Sequence, residues 1–346
     1  MNVSHLPRRL VTRRAMITAL SLAICQLGVA IEASAGLYLT SGIGVDQHHI
    51  YGFTSTGGKS VVADGLNTPM GMAIDTNGAL VVADYGSGSI YKFGKDGSQS
   101  TFATGLDHPW ALAFDPSGNL YESGDRSFNI YKYSPTGARS TFAFWNGTNW
   151  GLAIDKNGNL FMTDPGNLDV VKITPQGTRS VFAGGLSLSR GIAVDSNGNI
   201  FVTNNPTDGN PSAIFKFTPS GVRSTFATGL GDLVGLAFDN DGNLFAADSD
   251  SGTIYRLTPS GTRSTFASGL NSPDWLTFGN SVPEPPAISL CAISALLLSL
   301  RVRFVSRIRR TAPASHRQSP RSRFRRAVRL TGAGPYRQLS GVRRRF

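Results

Sequence analysis

The stretch from Gly235 to Leu270, GLAFDNDGNLFAADSDSGTIYRLTPSGTRSTFASGL, decides the fold of this chain. It holds four short apolar runs with turn residues between them. The same sentence recurs along the sequence. The phenylalanine of its closing phrase returns at Phe102, Phe142, Phe182, Phe226 and Phe266, with Val62 in the same slot of the first copy, at spacings of 40, 40, 40, 44 and 40. A fixed period of this length marks a supersecondary unit that buries its faces only against its neighbours.

Each unit reads as four strands. The first run is Gly71–Asp75, Ala111–Asp115, Gly151–Asp155, Gly191–Asp195 and Gly235–Asp239 in successive copies. A turn follows, such as Thr76-Asn77-Gly78, Lys156-Asn157-Gly158 or Asn240-Asp241-Gly242, with glycine where a tight hairpin needs positive φ. The second run is represented by Leu160–Asp164 and Ile200–Asn204, and the third by Ile90–Phe93, Ile130–Tyr133 and Ile254–Leu257. Thr-Pro-x-Gly turns at 174–177, 218–221 and 258–261 lead into the fourth, STFA-like run. Runs this short, rich in β-branched and aromatic residues and bounded by Gly or Pro, predict strands. Four antiparallel strands per unit is one propeller blade.

The ends of the array predict a closed ring. The last copy stops after its first strand, Asp274–Phe278, while the array opens with a second strand (Leu37–Thr40), a third (Ile50–Phe53) and a fourth (Val61–Ala63). Neither end makes a blade alone, and together they make one. The expectation is an all-β, six-bladed β-propeller over residues 36–280 whose last blade is closed by strands from both termini. Such closure leaves no loose sheet edge.

The pattern GLAFDxxGNLFxADxxxGxIYRxTPxG, read from Gly235 to Gly261, resembles the NHL-repeat propellers and the related gluconolactonase-like and streptogramin-lyase-like six-bladed propellers. The resemblance extends over residues 36–280. For a gluconolactonase-like member it implies a divalent metal held by a Glu at the opening of a first strand, with Asn and Asp from other blades. None of the six openings here is Glu. For a streptogramin-lyase-like member it implies a His-based site in the later blades, and no His lies between residues 109 and 315. A metal-dependent lactonase or lyase-like hydrolase therefore stands as an alternative to a non-catalytic protein.

Charge is distributed by segment. The chain carries +11 overall, yet residues 301–346 hold fifteen Arg and no acid, and residues 36–300 hold 14 basic against 21 acidic side chains. The body is acidic, which argues against nucleic acid as a partner of the propeller. Residues 1–35 read as a signal peptide: Arg8, Arg9, Arg13 and Arg14 precede an apolar stretch, and Ala33-Ser34-Ala35 offers cleavage after Ala35. Arg13-Arg14 leaves both the general and the twin-arginine export routes open. The two cysteines, Cys25 and Cys291, lie outside the propeller, which therefore folds without a disulfide.

Residues 281–310 resemble a PEP-CTERM sorting signal. Val282-Pro283-Glu284-Pro285 is followed by an apolar stretch to Leu300 and then by Arg301, Arg303, Arg307, Arg309 and Arg310. The resemblance implies an exosortase-type sorting enzyme as partner, transient membrane insertion through the apolar segment, and delivery to a bacterial cell surface or extracellular matrix. The arginine excess predicts that its flank stays cytoplasmic. Residues 311–346 are Arg-, Ser- and Pro-rich and read as a disordered tail, either one that touches anionic lipid or nucleic acid or translated sequence without function.

Ligands of such a ring gather where the fourth strand of one blade leads into the first strand of the next. The residues opening the first strands are Met70, Trp110, Trp150, Arg190, Val234 and Asp274, with Trp275 one step further where most copies carry Gly or Ala. Aromatic faces beside charged hydrogen-bonding groups suit a sugar ring, as in an extracellular polysaccharide, or an aromatic ligand. Packing as a plug is the alternative for the same residues. His108, next to Pro109-Trp110, is a further rim candidate. Asp84, Asp164 and Asp248 end second strands and are the candidates for a divalent cation, with loop capping as the other reading. The Asp-x-Asn-Gly turns lack the length and the closing Glu of a calcium loop and read as turns. Three functions remain: a surface-sorted, monomeric binding propeller for glycan or matrix polymer, a scaffold or adhesion module for a surface protein, and the hydrolase implied by the resemblance.

Overall fold

The computed structural model describes residues 36–41, 48–125, 128–145, 147 and 149–279. The signal peptide with Ala33 and Ala35, the sorting motif Val282–Pro285 and the Arg-rich tail lie outside the described residues. Among the described residues no helix is long and apolar enough to cross a membrane.

Six four-stranded antiparallel sheets form the propeller. Five blades are continuous in sequence, blade 1 over 69–103, blade 2 over 109–144, blade 3 over 152–184, blade 4 over 192–230 and blade 5 over 233–267, and blade 6 joins Pro273–Gly279 to Gly36–Ser41, Ile50–Phe53 and Lys59–Ala63. Its seam is a regular antiparallel ladder in which Leu37 faces Phe278 and Leu39 faces Leu276. The stitched blade expected from the sequence is therefore present.

The core consists of six apolar layers, one between each pair of neighbouring blades. Leu37, Tyr51 and Phe53 of blade 6 meet Phe245 and Ile254 of blade 5, while Tyr38 and Ile50 meet Met72, Leu80 and Phe93 of blade 1 on the other face. Both faces of each blade are thus buried, which explains the nearly continuous apolar strands. The repeated phenylalanine pins four of the six layers edge-to-face: Phe142 on Tyr121, Phe182 on Phe161, Phe226 on Phe201 and Phe266 on Phe245, with centroids 4.9–5.0 Å apart. Such pairs add about 0.5–1.5 kcal/mol beyond their burial.

Hairpin turns repeat one device. Asp75 Oδ1 accepts the N–H groups of Asn77 and Ala79 at 2.8 Å each, and Gly78 takes φ 79°. Asp115, Asp155, Asp195 and Asp239 do the same in their blades. These carboxylates hold turns, as the sequence reading had it.

Two boundaries differ from the sequence reading. The first strands of blades 3 and 4 are short, Leu152–Ile154 and Ile192–Val194, so Trp150 and Arg190 precede them rather than open them. There the backbone bonds from Thr163 N–H to the Gly151 carbonyl and from Thr203 N–H to the Gly191 carbonyl persist, but the N–H groups of Gly151, Arg190 and Gly191 turn to threonine hydroxyls, Gly151 to Thr163 Oγ1 and the other two to Thr203 Oγ1. The spacing of 44 has a structural reason too: four extra residues lie in the loop from Asn205 to Pro211 of blade 4.

Glycine at the second position of the inner strands sets the width of the ring. A Cβ on Gly191 would lie 2.1 Å from the carbonyl oxygen of Val234, and one on Gly235 would lie 2.3 Å from that of Asp274. Gly71 and Gly151 stand equally close to the carbonyls of Trp110 and Arg190. Four of the six inner segments are therefore seated directly on the backbone of the next, with Ala111 and Trp275 in the same slot of the other two.

Candidate functional site

The six residues singled out along the sequence converge. Met70, Trp110, Trp150, Arg190, Val234 and Asp274, one from each blade, line a single cavity of about 320 Å³ together with Trp275, Asp232, Ser249 and Ser272. Its volume is at the lower end of small-molecule pockets and matches one sugar-sized group. Met70 is buried at the floor, where its carbonyl accepts the hydroxyl of Thr40. Trp275 stands where the other blades have Gly or Ala. Its indole packs with Trp110 against the apolar layer between blades 2 and 3, so it reaches across the channel from blade 6. The indole N–H groups of Trp110 and Trp275 are buried and make no hydrogen bond among the described residues.

Charge inside the cavity is arranged in one pair and one single group. Arg190 donates from Nη1 to Asp232 Oδ2, and its guanidinium lies 5.4 Å from the Trp150 ring centroid. Asp232 also accepts the Ser249 hydroxyl at 3.0 Å. Asp274 is partly buried in the cavity wall. That burial pushes its carboxyl up to about 7, against the pull of Arg190 and with the push of Asp232. Among the described residues no hydrogen bond or ion pair reaches it.

Asp232 and its partner Ser249 were not found from the sequence. Asp232 sits in the connection before the first strand of blade 5, outside the strand slots that the repeat aligns. The signal was the loss of proline there: the corresponding connections of blades 1, 2 and 6 run Thr68-Pro69, His108-Pro109 and Ser272-Pro273. In those three the residue before proline adopts φ of 63°, 53° and 46°. Such strained backbone gathers at functional rims.

His108 lies outside the cavity wall. Its ring stacks at 4.6 Å on Tyr85, whose own ring meets Trp110 edge-on at 5.6 Å, and its Nδ1 pairs with Asp107. It supports the wall from behind.

The three aspartates weighed for a cation cap loops. Asp84 accepts the N–H of Asn67 and the Ser87 hydroxyl. Asp164 accepts the N–H groups of Gly166 and Asn167, and Asp248 those of Gly231 and Ser251. No group of three or more His, Cys, Asp or Glu side chains able to hold a metal occurs among the described residues.

A second cleft, of about 430 Å³, adjoins the central cavity. It is formed largely by the blade 4 insertion, including Asn205, Pro206 and Asn210, and shares Arg190 and Asp232 with the cavity. Asn205 braces it by donating to the Leu233 carbonyl and accepting the Leu233 N–H.

No family model matches the chain, and no curated protein matches it. Solved structures do. A chain from a nidogen/laminin complex aligns with a TM-score of 0.63 at 16% identity, over 71% of this chain and 98% of that one. A putative gluconolactonase aligns with a TM-score of 0.55 at 16% identity, over 71% and 95%. Virginiamycin B lyase from Staphylococcus aureus aligns with a TM-score of 0.52 at 14% identity, over 72% and 90%. The likeness is one of fold. It bears out the propeller resemblance read from the repeat.

Proposed function

We propose that this propeller is the binding module of an exported, surface-sorted protein and that it holds a polysaccharide or matrix polymer on the rim of its channel. The observation that carries the reading is the convergence of all six opening residues on one cavity whose walls include three tryptophans beside an Arg–Asp pair and a lone carboxyl. Flat aromatic faces cover the apolar face of a sugar ring, and the charged groups meet its hydroxyls. The adjoining cleft, joined to the cavity at Arg190 and Asp232, favours a chain over a single small molecule.

Replacing Trp110 or Trp150 with Ala is expected to weaken polymer binding by about 1–3 kcal/mol, the order for losing an aromatic anchor. Stability should change less, because both side chains are only partly buried. If instead they are plugs, the melt should fall by about 3–5 kcal/mol, as for large core truncations. A thermal melt and a polysaccharide pull-down on each variant decide it. A large stability loss with unchanged retention sinks the binding reading.

That result would favour the scaffold or adhesion reading. One observation supports it independently: Phe128 and Phe144 are 55% and 63% exposed and lie 6.3 Å apart on the outer part of blade 2.

Surface sorting rests on the Val-Pro-Glu-Pro motif, the apolar segment and the arginine cluster in that order. The mature exported protein is expected to end near Pro285. Mass spectrometry of extracellular material checks this. Secreted protein that still carries Arg301–Phe346 would refute processing at the motif.

A further inference from the structure

We propose that the central cavity takes a protonated amine carried on a sugar ring, that is, an amino-sugar residue in preference to its N-acetylated or neutral counterpart. The inference rests on the glycan reading of the same cavity and names the ligand class within it.

Three observations lead there. First, the charges of the cavity do not balance internally. Arg190 is matched by Asp232, which is further held by Ser249, whereas Asp274 has no hydrogen-bond or ion-pair partner among the described residues. A partly buried carboxyl that lines a cavity without a protein partner gains from a bound donor. Second, the opposite walls are indoles. Trp150 already has the Arg190 guanidinium over its ring, which leaves Trp110 and Trp275 as the aromatic surface for an incoming group. A tryptophan face attracts a cation more strongly than any other side-chain ring. Third, Met70 and Val234 are apolar, and of the two hydroxyls in the lining Ser249 already donates to Asp232, which leaves Ser272 as the one neutral side-chain hydroxyl for a polar substituent.

An anion is disfavoured, because the only cation in the cavity is already neutralised by Asp232. A neutral hydroxyl can donate to Asp274 but gains neither the charge nor the ring contact. An ammonium gains both, and charge-assisted hydrogen bonds are roughly twice as strong as neutral ones. The titratable and charged groups facing Asp274 from neighbouring blades are Arg190 and Asp232, which pull it in opposite directions. Burial therefore governs its ionisation, which an arriving ammonium would promote.

The test uses the full chain and three disaccharides of one β-1,4 linkage that differ only at C2: the glucosamine disaccharide, its di-N-acetylated form, and cellobiose. Three of the protein's four tryptophans line the cavity, so intrinsic fluorescence reports occupancy. The free-amine sugar is expected to bind at least about tenfold more tightly than either other sugar near pH 7, in line with a hydrogen bond to a charged group. Its affinity should rise as pH passes through the ionisation of Asp274 and fall again as the amine loses its proton. Asp274→Asn should abolish the preference and the rising limb. Asp274→Val, after the Val234 of blade 5, repeats the test with a side chain that packs. Equal binding of all three sugars, or a preference that survives in Asp274→Asn, overturns the inference and leaves the glycan reading standing. Failure of all three to bind removes the glycan reading and the inference with it.

Discussion

A chain lacking residues 36–63 is expected to lose cooperative unfolding altogether. Those residues supply three of the four strands of blade 6, and their first strand pairs along its length with Pro273–Gly279. They also supply one side of two of the six apolar layers, with Leu37, Leu39, Tyr51 and Phe53 against blade 5 and Tyr38, Ile50 and Ala63 against blade 1. Removing them strips both layers, exposes two blade faces and frees the edge of the remaining strand. Each such layer holds several fully buried side chains, and burying one contributes about 1.5–3 kcal/mol. The loss therefore exceeds the whole stability of an ordinary domain, about 5–15 kcal/mol. Thermal circular dichroism of full-length and truncated chains checks this. A truncated chain that melts as sharply and at the same temperature would show that the ring does not depend on its stitched blade.

Replacing Glu122 with Met is expected to stabilise the protein near pH 8 and to flatten its stability between about pH 4.5 and 7. Glu122 lies in the second strand of blade 2, 1% exposed, with Oε2 unpaired among the described residues. The equivalent slots hold Val82, Met162, Val202, Ala246 and Leu39. Burial pushes its carboxyl up to about 7 from an ordinary 4.5, with only a weak counter-pull from Arg139. The folded state therefore binds a proton more tightly than the unfolded state does. Between the two values the native protein carries the extra proton, so stability falls as pH rises, and above about 7 the contribution is gone. The full window corresponds to about 3 kcal/mol, at about 1.4 kcal/mol per unit. Asp274 adds a slope of the same sign, so the comparison is between wild type and Glu122→Met. Denaturant melts at pH 5 and pH 8 give the result. An unchanged pH dependence in the variant would show that Glu122 is solvated or paired.

The sequence carried the blade because the blade is periodic. The Phe102-to-Phe266 series, the Asp-capped hairpins and the split between residues 37–63 and 274–278 all report contacts that recur, and recurring contacts leave a period. The site was legible for a different reason. Its six wall residues occupy one slot of the repeat, so variation among Met70, Trp110, Trp150, Arg190, Val234 and Asp274 stood out against uniform strands. Asp232 was hidden because it belongs to a connection, where no slot aligns it with a neighbour, and because its partner Arg190 lies 42 residues away. His108 is a rim candidate from its nearness to Trp110 in the chain; its backbone is left-handed and its ring lies against Tyr85, outside the cavity lining. Trp150 and Arg190 hold the opening slot because the repeat fixes position, whereas the regular strands of blades 3 and 4 begin two residues later, where the preceding N–H groups donate to Thr163 and Thr203.

The glycine contacts between inner strands separate frame from content. Because Gly71, Gly151, Gly191 and Gly235 rest on the backbone of the next blade, the main chain fixes the position of the wall residue beside each of them. The side chain standing there can change while the glycine keeps the spacing. A single codon can therefore exchange one wall of the cavity, and the openings of the blades, together with Asp232, Ser249, Ser272 and Trp275, set its chemistry. Proteins built on this frame can diverge in ligand while remaining superimposable, so likeness of backbone among them carries little information about what each one holds.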